Sequence, residues 1–167
     1  MSISFISSEE FRPEISDHPI DVDIRLYGAE DVPKMVEAGH DLITWSLRFG
    51  YLVCQHSDYW SQLRRTWEGK TPLPNPEVAE ERALKTARVY EDLRRIGDDE
   101  AAGEQLISLL THKAWAVLLR RGVPPASRPE LPALLRSIGQ AALAESLEKE
   151  LRRRASETRG AVVLADR

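Results

Sequence analysis

Short runs of alternating apolar and polar positions at the start of the chain predict β-strands. Residues 2–6 predict the first strand. Residues 20–27 predict a second strand, which carries Asp21 and Asp23 on one face and apolar side chains on the other. The apolar run Tyr51–Cys54 predicts a third strand. The pattern indicates a small sheet in the first part of the chain.

Three short helices are predicted around these strands. The first opens with Glu30-Asp31-Val32-Pro33 and closes at Gly39, because the helix dipole and the fixed φ of proline favour these residues in a first turn. The second covers Asp41–Phe49, and the third begins after the capping candidate Asp58. Each of these two helices has an apolar stripe, formed by Leu42, Trp45 and Phe49 in the second and by Trp60, Leu63 and Trp67 in the third.

The proline-rich residues 69–76 predict a linker to a second part of the chain, which is helical throughout. Its first helix has an apolar three-residue step at Leu84, Ala87, Tyr90 and Leu93. Its second helix is apolar around most of its circumference and is expected at the centre of a bundle. A flexible tail is expected at 155–167. Four helices are predicted in this second part, at about 76–96, 99–121, 129–137 and 140–154.

The composition is ordinary for a globular protein, with 167 residues, 42% apolar and 30% charged. The net charge of -4 argues against a broad nucleic-acid-binding surface. Cys54 is the single cysteine, which excludes an intrachain disulfide and a cysteine-based zinc site. The chain starts without a signal-like segment and has no apolar run of membrane-spanning length, so we expect a cytoplasmic protein.

Asp21 and Asp23 are the leading candidates for a functional site. On one face of a strand, two such residues lie about 7 Å apart, which suits a divalent cation with oxygen ligands such as Mg²⁺. The alternative interpretation is an edge strand whose acidic face is solvated. The pattern by itself leaves both interpretations open.

The other candidate residues are expected to have structural rather than functional roles. The four histidines lack the spacing of helix-borne metal ligands, and the four tryptophans lie on predicted helices among apolar neighbours, which favours core packing. The pairs Arg64-Arg65 and Arg120-Arg121 could contact a phosphate, although paired arginines on helices usually form a solvated face. Cys54 is expected to be an inert buried thiol. The chain has neither a nucleophile-elbow motif nor a phosphate-binding loop motif.

The segment from Val22-Asp23-Ile24 through the predicted helices to Gly50 resembles the second half of a polymerase-β-type nucleotidyltransferase domain. The helical part, including Ser108–Trp115 and Gly122–Pro125, is similar to the HEPN-like bundles that accompany such domains. The resemblance spans about residues 18–150. It implies a partial nucleotidyltransferase-like α/β domain over 1–68, the linker over 69–76, and a HEPN-like helical bundle over 77–154.

Enzymes of this superfamily hold two Mg²⁺ ions with three carboxylates, two from an Asp-x-Asp strand after a Gly-Ser turn and one from a later strand. In one register, Asp23 is the third carboxylate and the earlier elements are missing from this chain. In the other, Ser7-Ser8 replaces the Gly-Ser turn, and Asp21 and Asp23 form the pair. The first register is preferred, because the helix and Gly50 follow at the distance expected after the third strand. In both registers the metal site is incomplete in this polypeptide.

The HEPN ribonuclease motif places an arginine four to six residues before a histidine. The nearest arginine before His112 is Arg95, which is too far away to form that motif. We therefore expect His112 to pack within the bundle and do not expect ribonuclease activity.

The resemblance implies an α+β, mostly helical fold, with a small nucleotidyltransferase-like sheet and helices followed by an antiparallel four-helix bundle. The implied function is magnesium-dependent transfer of a nucleotide from a nucleoside triphosphate. Asp23 would be the catalytic carboxylate, Asp21 and Asp23 would bind the metal, and another chain would supply the missing carboxylates. The alternative is a non-catalytic antitoxin-like or regulatory protein that retains the fold. A protein partner or a homo-oligomer is expected, a membrane is not, and a nucleic-acid partner stays open.

Overall fold

The computed structural model describes residues 2–5, 24–53 and 57–165, with the side chains of 25–53 and 57–156. Most of this part is helix, as predicted. The chain divides into two units, Met1–Pro74 and Asn75–Arg167.

Two short strands pair in parallel in the amino-terminal unit. They are β1, Ser2–Phe5, and β2, Ile24–Tyr27, and their register places Ser2 opposite Ile24. Parallel strands need a crossover connection rather than a tight turn. The predicted start of the second strand, residues 20–23, lies outside the described residues. These are the two strands of the described part of the chain, so the sheet of a nucleotidyltransferase-like domain stays a prediction.

Three helices follow β2 at the predicted positions: α1 (Val32–Glu37), α2 (Asp41–Phe49) and α3 (Tyr59–Trp67). After α1 the chain turns at Gly39, which has a left-handed φ of 68°. A Cβ atom at Gly39 would lie 2.8 Å from the carbonyl oxygen of Leu73. Glycine is required there because it adopts the positive φ and leaves room for the approaching backbone.

The third strand predicted at Tyr51–Cys54 is wrong at its three described residues. Tyr51, Leu52 and Val53 follow α2 in an irregular segment, in which Tyr51 is 95% and Val53 is 89% exposed. A β-prone run becomes a strand only where a neighbouring strand takes up its backbone hydrogen bonds, and these three residues have no such pairing. Cys54, the predicted buried thiol, lies outside the described residues.

The core of the amino-terminal unit combines side chains from all three helices. Trp60 and Leu63 are buried as predicted for α3, and the predicted position Trp67 packs against them from the side. The stripe predicted for α2 is wrong, because Phe49 is exposed and the helix instead buries a different face. The buried apolar residues of this core are Val32, Val36, Ile43, Leu47, Trp60 and Leu63.

Two hydroxyl residues explain which face of α2 is buried. Thr44 and Ser46 lie on the buried face, although a hydropathy pattern counts both residues as polar. The Thr44 hydroxyl donates to the carbonyl oxygen of His40 at 2.9 Å, and the Ser46 hydroxyl donates to that of Leu42 at 2.8 Å. Because these hydrogen bonds stay within the helix, both residues can be buried without an unsatisfied donor.

The carboxy-terminal unit contains four α-helices: α4 (Pro76–Ile96), α5 (Asp99–Arg120), α6 (Leu131–Ser137) and α7 (Ala141–Ala165). A 3-10 turn at Arg128–Glu130 precedes α6. Side chains cap α4 and α5 at their starts. Asn75 accepts from the backbone N–H of Glu77 at 2.9 Å, and Asp98 accepts from that of Ala101 at 3.0 Å.

The last helix is longer than predicted, since α7 continues to Ala165 where the sequence indicated an end near 154 and a flexible tail over 155–167. The run Arg152–Arg154 suggested a helix end, but arginine is also a good helix former. Arg152 and Arg153 each donate to a glutamate on their own helix, at 2.6 and 2.8 Å. Residues 155–165 contain no proline, and the single glycine there costs a helix only about 1 kcal/mol.

The central position predicted for α5 is confirmed, because this helix packs against α4, α6 and α7. Helix α4 buries Ala79 and Ala83. Leu84, one of the four positions of its predicted stripe, is 63% exposed. The other three positions of that stripe are half-buried: Ala87, Tyr90 and Leu93. The carboxy-terminal core consists of Ala114, Leu118, Leu131, Leu135, Ala144 and Leu147. Across the part of the chain that the structure describes, no helix is long and apolar enough to cross a membrane.

Candidate anion-binding cleft

The predicted metal ligands, Asp21 and Asp23, lie outside the described residues. Within the described ranges, no group of three or more His, Cys, Asp or Glu side chains is placed to hold a metal ion. The described residues therefore do not complete a metal centre, and magnesium binding rests on the sequence alone.

An open cleft of about 470 Å³ lies in the amino-terminal unit, lined by residues of α2, of α3 and of the segment that follows α3. Its charged side chains are three arginines and one glutamate: Arg48, Arg64, Arg65 and Glu68. The cleft therefore has an excess of positive charge. Guanidinium groups recognise phosphate and carboxylate oxygens through paired hydrogen bonds.

Arg48 joins α2 to the segment at the end of the amino-terminal unit. Its Nη2 atom donates to the carbonyl oxygens of Thr71 and of Pro72, the latter at 3.1 Å. Burial lowers the pKa of the Arg48 guanidinium, yet arginine stays protonated in proteins. Two of the five possible donor bonds of a guanidinium are thus used, and Arg48 supplies a fixed positive charge at the edge of the cleft.

Arg64 and Arg65 lie in the last turn of α3 and are exposed. Arg64 Nη1 donates to the carbonyl oxygen of Gly50 at 3.4 Å, which connects the end of α3 to the end of α2. Cations in a last helical turn also offset the negative end of the helix dipole, so part of their charge already serves α3 itself. Both arginines line the cleft together with Ser61 and Thr71, and the Thr71 hydroxyl donates to the carbonyl oxygen of Trp67 at 2.9 Å.

Trp67 forms an aromatic wall of this cleft. It is half-buried and packs against the core, in line with the core packing predicted for the tryptophans. Lys70 lies nearby, with its Nζ atom 6.0 Å from the centre of the Trp67 ring. An aromatic face beside cations is a combination on which the bases of nucleic acids can stack.

The second arginine pair that the sequence singled out is placed differently. Arg120 forms an ion pair with Glu80 across α4 and α5, and Arg121 is exposed at the carboxy-terminal end of α5. Of the two arginine pairs that the sequence singled out, Arg64-Arg65 therefore lines the described cleft and Arg120-Arg121 does not.

Two histidines are described, and both take part in aromatic packing. His40 lies edge-on to Tyr27 with ring centres 5.9 Å apart, and His112 lies edge-on to Trp115 at 6.5 Å. The expected packing of His112 within the helical part is confirmed. His18 and His56 lie outside the described residues.

Comparison of the chain with protein-family models, with curated proteins and with solved structures finds no match. The resemblance to nucleotidyltransferases and HEPN-like bundles therefore stays a prediction.

The sequence indicated the Arg64-Arg65 pair but not the other charged residues of the cleft, Arg48 and Glu68. Each lies at the carboxy-terminal end of a helix. A cation there, such as Arg48, usually offsets the helix dipole and does not by itself indicate a ligand. Arg48 is separated from Arg64 along the chain by the irregular segment and the start of α3. Its position at the cleft follows only from how α2 packs against α3.

Proposed function

We propose that the amino-terminal unit binds the phosphates of a nucleoside triphosphate in the arginine-lined cleft, and that the protein supports nucleotidyl transfer together with another chain. The observation that carries the proposal is the meeting of Arg48, Arg64 and Arg65 at one cleft beside Trp67. Its volume lies within the range of about 300–1,000 Å³ that small-molecule sites occupy.

The fold assigned in the same proposal is a nucleotidyltransferase-like sheet with helices, followed by an antiparallel four-helix bundle of the HEPN type. The central position of α5 among α4, α6 and α7 supports the bundle. The parallel pairing of β1 with β2 provides the beginning of a sheet.

Catalysis in this proposal depends on residues outside the cleft. Asp23, with Asp21, would bind Mg²⁺, which prefers one or two protein carboxylates together with substrate phosphates. Because a single pair of aspartates does not complete a two-metal site, another chain would supply the missing carboxylates. A neighbouring reading frame that encodes a Gly-Ser and Asp-x-Asp segment would identify that chain.

Calorimetric titration of the full chain tests the proposal. The four ribonucleoside triphosphates are titrated with and without Mg²⁺, first into the protein alone and then into its mixture with the product of the neighbouring reading frame. We expect saturable heat for at least one triphosphate, with tighter binding when Mg²⁺ is present. The absence of heat for every triphosphate under all of these conditions would exclude nucleotide binding.

A second candidate function is favoured by the exposed segment after α2. Tyr51 and Val53 are the two most exposed large apolar residues described, which is typical of a surface that a protein partner covers. In this alternative the chain is a non-catalytic antitoxin-like or regulatory protein. Asp23→Ala would then leave partner binding and the biological effect intact, whereas loss of both would contradict it.

A further inference from the structure

Helix α4 has a face of exposed side chains that is turned away from its buried alanines. The helix buries Ala79 and Ala83, and α5 is the element that it chiefly contacts. About a third of a turn away lies the α4 stripe, which we define as six exposed residues: Val78, Arg82, Lys85, Val89, Asp92 and Ile96. Its apolar members are 43%, 46% and 76% exposed at Val78, Val89 and Ile96.

The spacing of the α4 stripe is that of a helix that packs against another helix. Its members follow one another in steps of four and three residues along the whole of α4. This alternation keeps the side chains in a band about 80° wide on a helix, as at the contact positions of a coiled coil. Single exposed apolar residues are common on protein surfaces, but their alignment at these positions indicates a partner helix.

The order of residues in the stripe is self-complementary in the antiparallel direction. When a second copy of α4 runs antiparallel about a two-fold axis at the height of residue 87, Val78 meets Ile96 of the second copy. Arg82 then meets Asp92 of the second copy, and Lys85 meets Val89. Each pairing occurs twice, as a two-fold symmetric contact requires.

Charge decides between the two possible directions. In the antiparallel pair Arg82 faces Asp92, which also accepts a hydrogen bond from Arg95 of its own helix at 2.8 Å. A parallel pair would instead bring Arg82 against Arg82 and Asp92 against Asp92. Beside the stripe, Glu81 would also lie near Arg95 of the second copy. Near the axis Arg88 meets its own counterpart, and its long side chain can extend outward into solvent. Like charges in direct contact are costly, so the sequence favours the antiparallel arrangement.

We propose that the α4 stripe is a homodimer interface, in which two copies of this chain pack antiparallel along α4. The paired helices are in contact over about 27 Å, with three apolar positions from each copy. Because only three apolar positions from each copy come together, we expect a reversible dimer whose population changes with protein concentration in the micromolar range.

Sedimentation velocity of the full chain between about 1 and 300 µM tests this interface with a charge swap. Arg82→Asp and Asp92→Arg each place like charges at two sites of the dimer, and we expect each to raise the dissociation constant by about tenfold or more. The double variant restores opposite charges with their positions exchanged. We expect its dissociation constant to return to within about threefold of the unmodified chain.

Two single substitutions of an apolar residue of α4 by aspartate provide a matched control. Val89→Asp puts a charge beside the dimer axis and should dissociate the dimer. Leu84→Asp puts the same charge on the same helix, at an exposed position about a third of a turn from the stripe, and should leave the dimer unchanged. Circular dichroism verifies that each variant keeps its helix content.

Three results would overturn the proposal. One is a chain that stays monomeric over the whole concentration range. The others are a dimer that neither single charge reversal weakens, and a folded double variant that remains as weak as the single variants.

Discussion

At the scale of single residues, the guanidinium groups of the amino-terminal cleft have different tasks. Arg48 is tied to the carbonyl oxygens of Thr71 and Pro72, so its loss would release the segment that closes the unit. Arg64 makes one long contact, with the carbonyl oxygen of Gly50 at 3.4 Å. Arg64 is therefore the better position at which to separate ligand binding from folding.

Arg64→Gln should weaken binding of a nucleoside triphosphate by about tenfold, because a hydrogen bond between two charged groups is replaced by one from a neutral amide. Calorimetry with the triphosphate that binds the unmodified chain measures the change. Arg121→Gln is the control, since Arg121 belongs to the pair that does not line the described cleft. Equal effects of the two substitutions would show that overall charge, and not the cleft, determines binding.

Gly39→Ala should lower the free energy of unfolding by about 2–4 kcal/mol. A non-glycine residue with a left-handed φ costs about 1–2 kcal/mol, and the new Cβ atom would also lie 2.8 Å from the Leu73 carbonyl oxygen. Gly69→Ala isolates the first of these costs, because Gly69 has a φ of 69° and no atom within 4 Å of its Cβ position. Urea denaturation measures the free energy of unfolding of both variants. Equal losses would contradict a cost from the close approach of the Cβ atom at position 39 to the Leu73 carbonyl oxygen.

At the scale of elements, the buried face of α2 is decided by hydrogen bonds that the hydropathy pattern does not include. Thr44 and Ser46 satisfy their hydroxyls within the helix and can therefore lie in the core between Ile43 and Leu47. The aromatic rings that the sequence assigned to the core instead pack on each other outside it. Trp45 and Phe49 have ring centres 5.5 Å apart.

The same substitution at two positions tests this orientation of α2. Leu47→Ala should lower the free energy of unfolding by about 2–5 kcal/mol, because it leaves a cavity in the core at a residue that is only 4% exposed. Leu42→Ala, at the half-buried predicted position, should cost clearly less. A larger loss at Leu42 in urea denaturation would restore the orientation that the sequence predicted.

The contact between α6 and α7 should make stability depend on pH. Arg136 donates a hydrogen bond to Glu148 and, with Arg152, holds the pKa of the Glu148 carboxyl below its usual range. The carboxylate is therefore favoured in the folded state. Its contribution is complete above the ordinary glutamate pKa of about 4.3 and is lost as the pH falls through the lower folded pKa.

Glu148→Gln should flatten the dependence of the unfolding midpoint on pH below about 5, while it changes that dependence little near neutral pH. Thermal melts from pH 3 to 8 measure this dependence. Glu145→Gln, on an exposed position of the same helix, provides the comparison. An unchanged acid limb in Glu148→Gln would show that the contact with Arg136 contributes nothing to stability.

At the scale of the whole molecule, the described residues form one apolar core in each of the two units. The six residues of the carboxy-terminal core all come from α5, α6 and α7. The side chains that cap α4 and α5, Asn75 and Asp98, also belong to that unit. The buried core residues and the capping side chains of these helices therefore all lie within Asn75–Arg167.

Residues 75–167 expressed alone should fold, because a segment of this length with its own core can form an independent domain. We expect the circular dichroism of a helical protein and a cooperative thermal transition. Leu118→Ala, which removes a fully buried side chain, should lower the transition temperature of this fragment. A fragment with no cooperative transition would show that the helices need the amino-terminal unit.

The sequence by itself determined where most of the helices begin and end, though not the end of α7, because capping side chains, prolines and glycines act on the backbone within a few residues. It also predicted α5 as the central helix from its nearly continuous apolar surface. The tertiary structure decided which face of α2 and α4 is buried, that Tyr51–Val53 form no strand, and that Arg48 joins Arg64 at one cleft. These features depend on neighbours that are distant along the chain, and a local pattern of apolar and polar positions does not contain them.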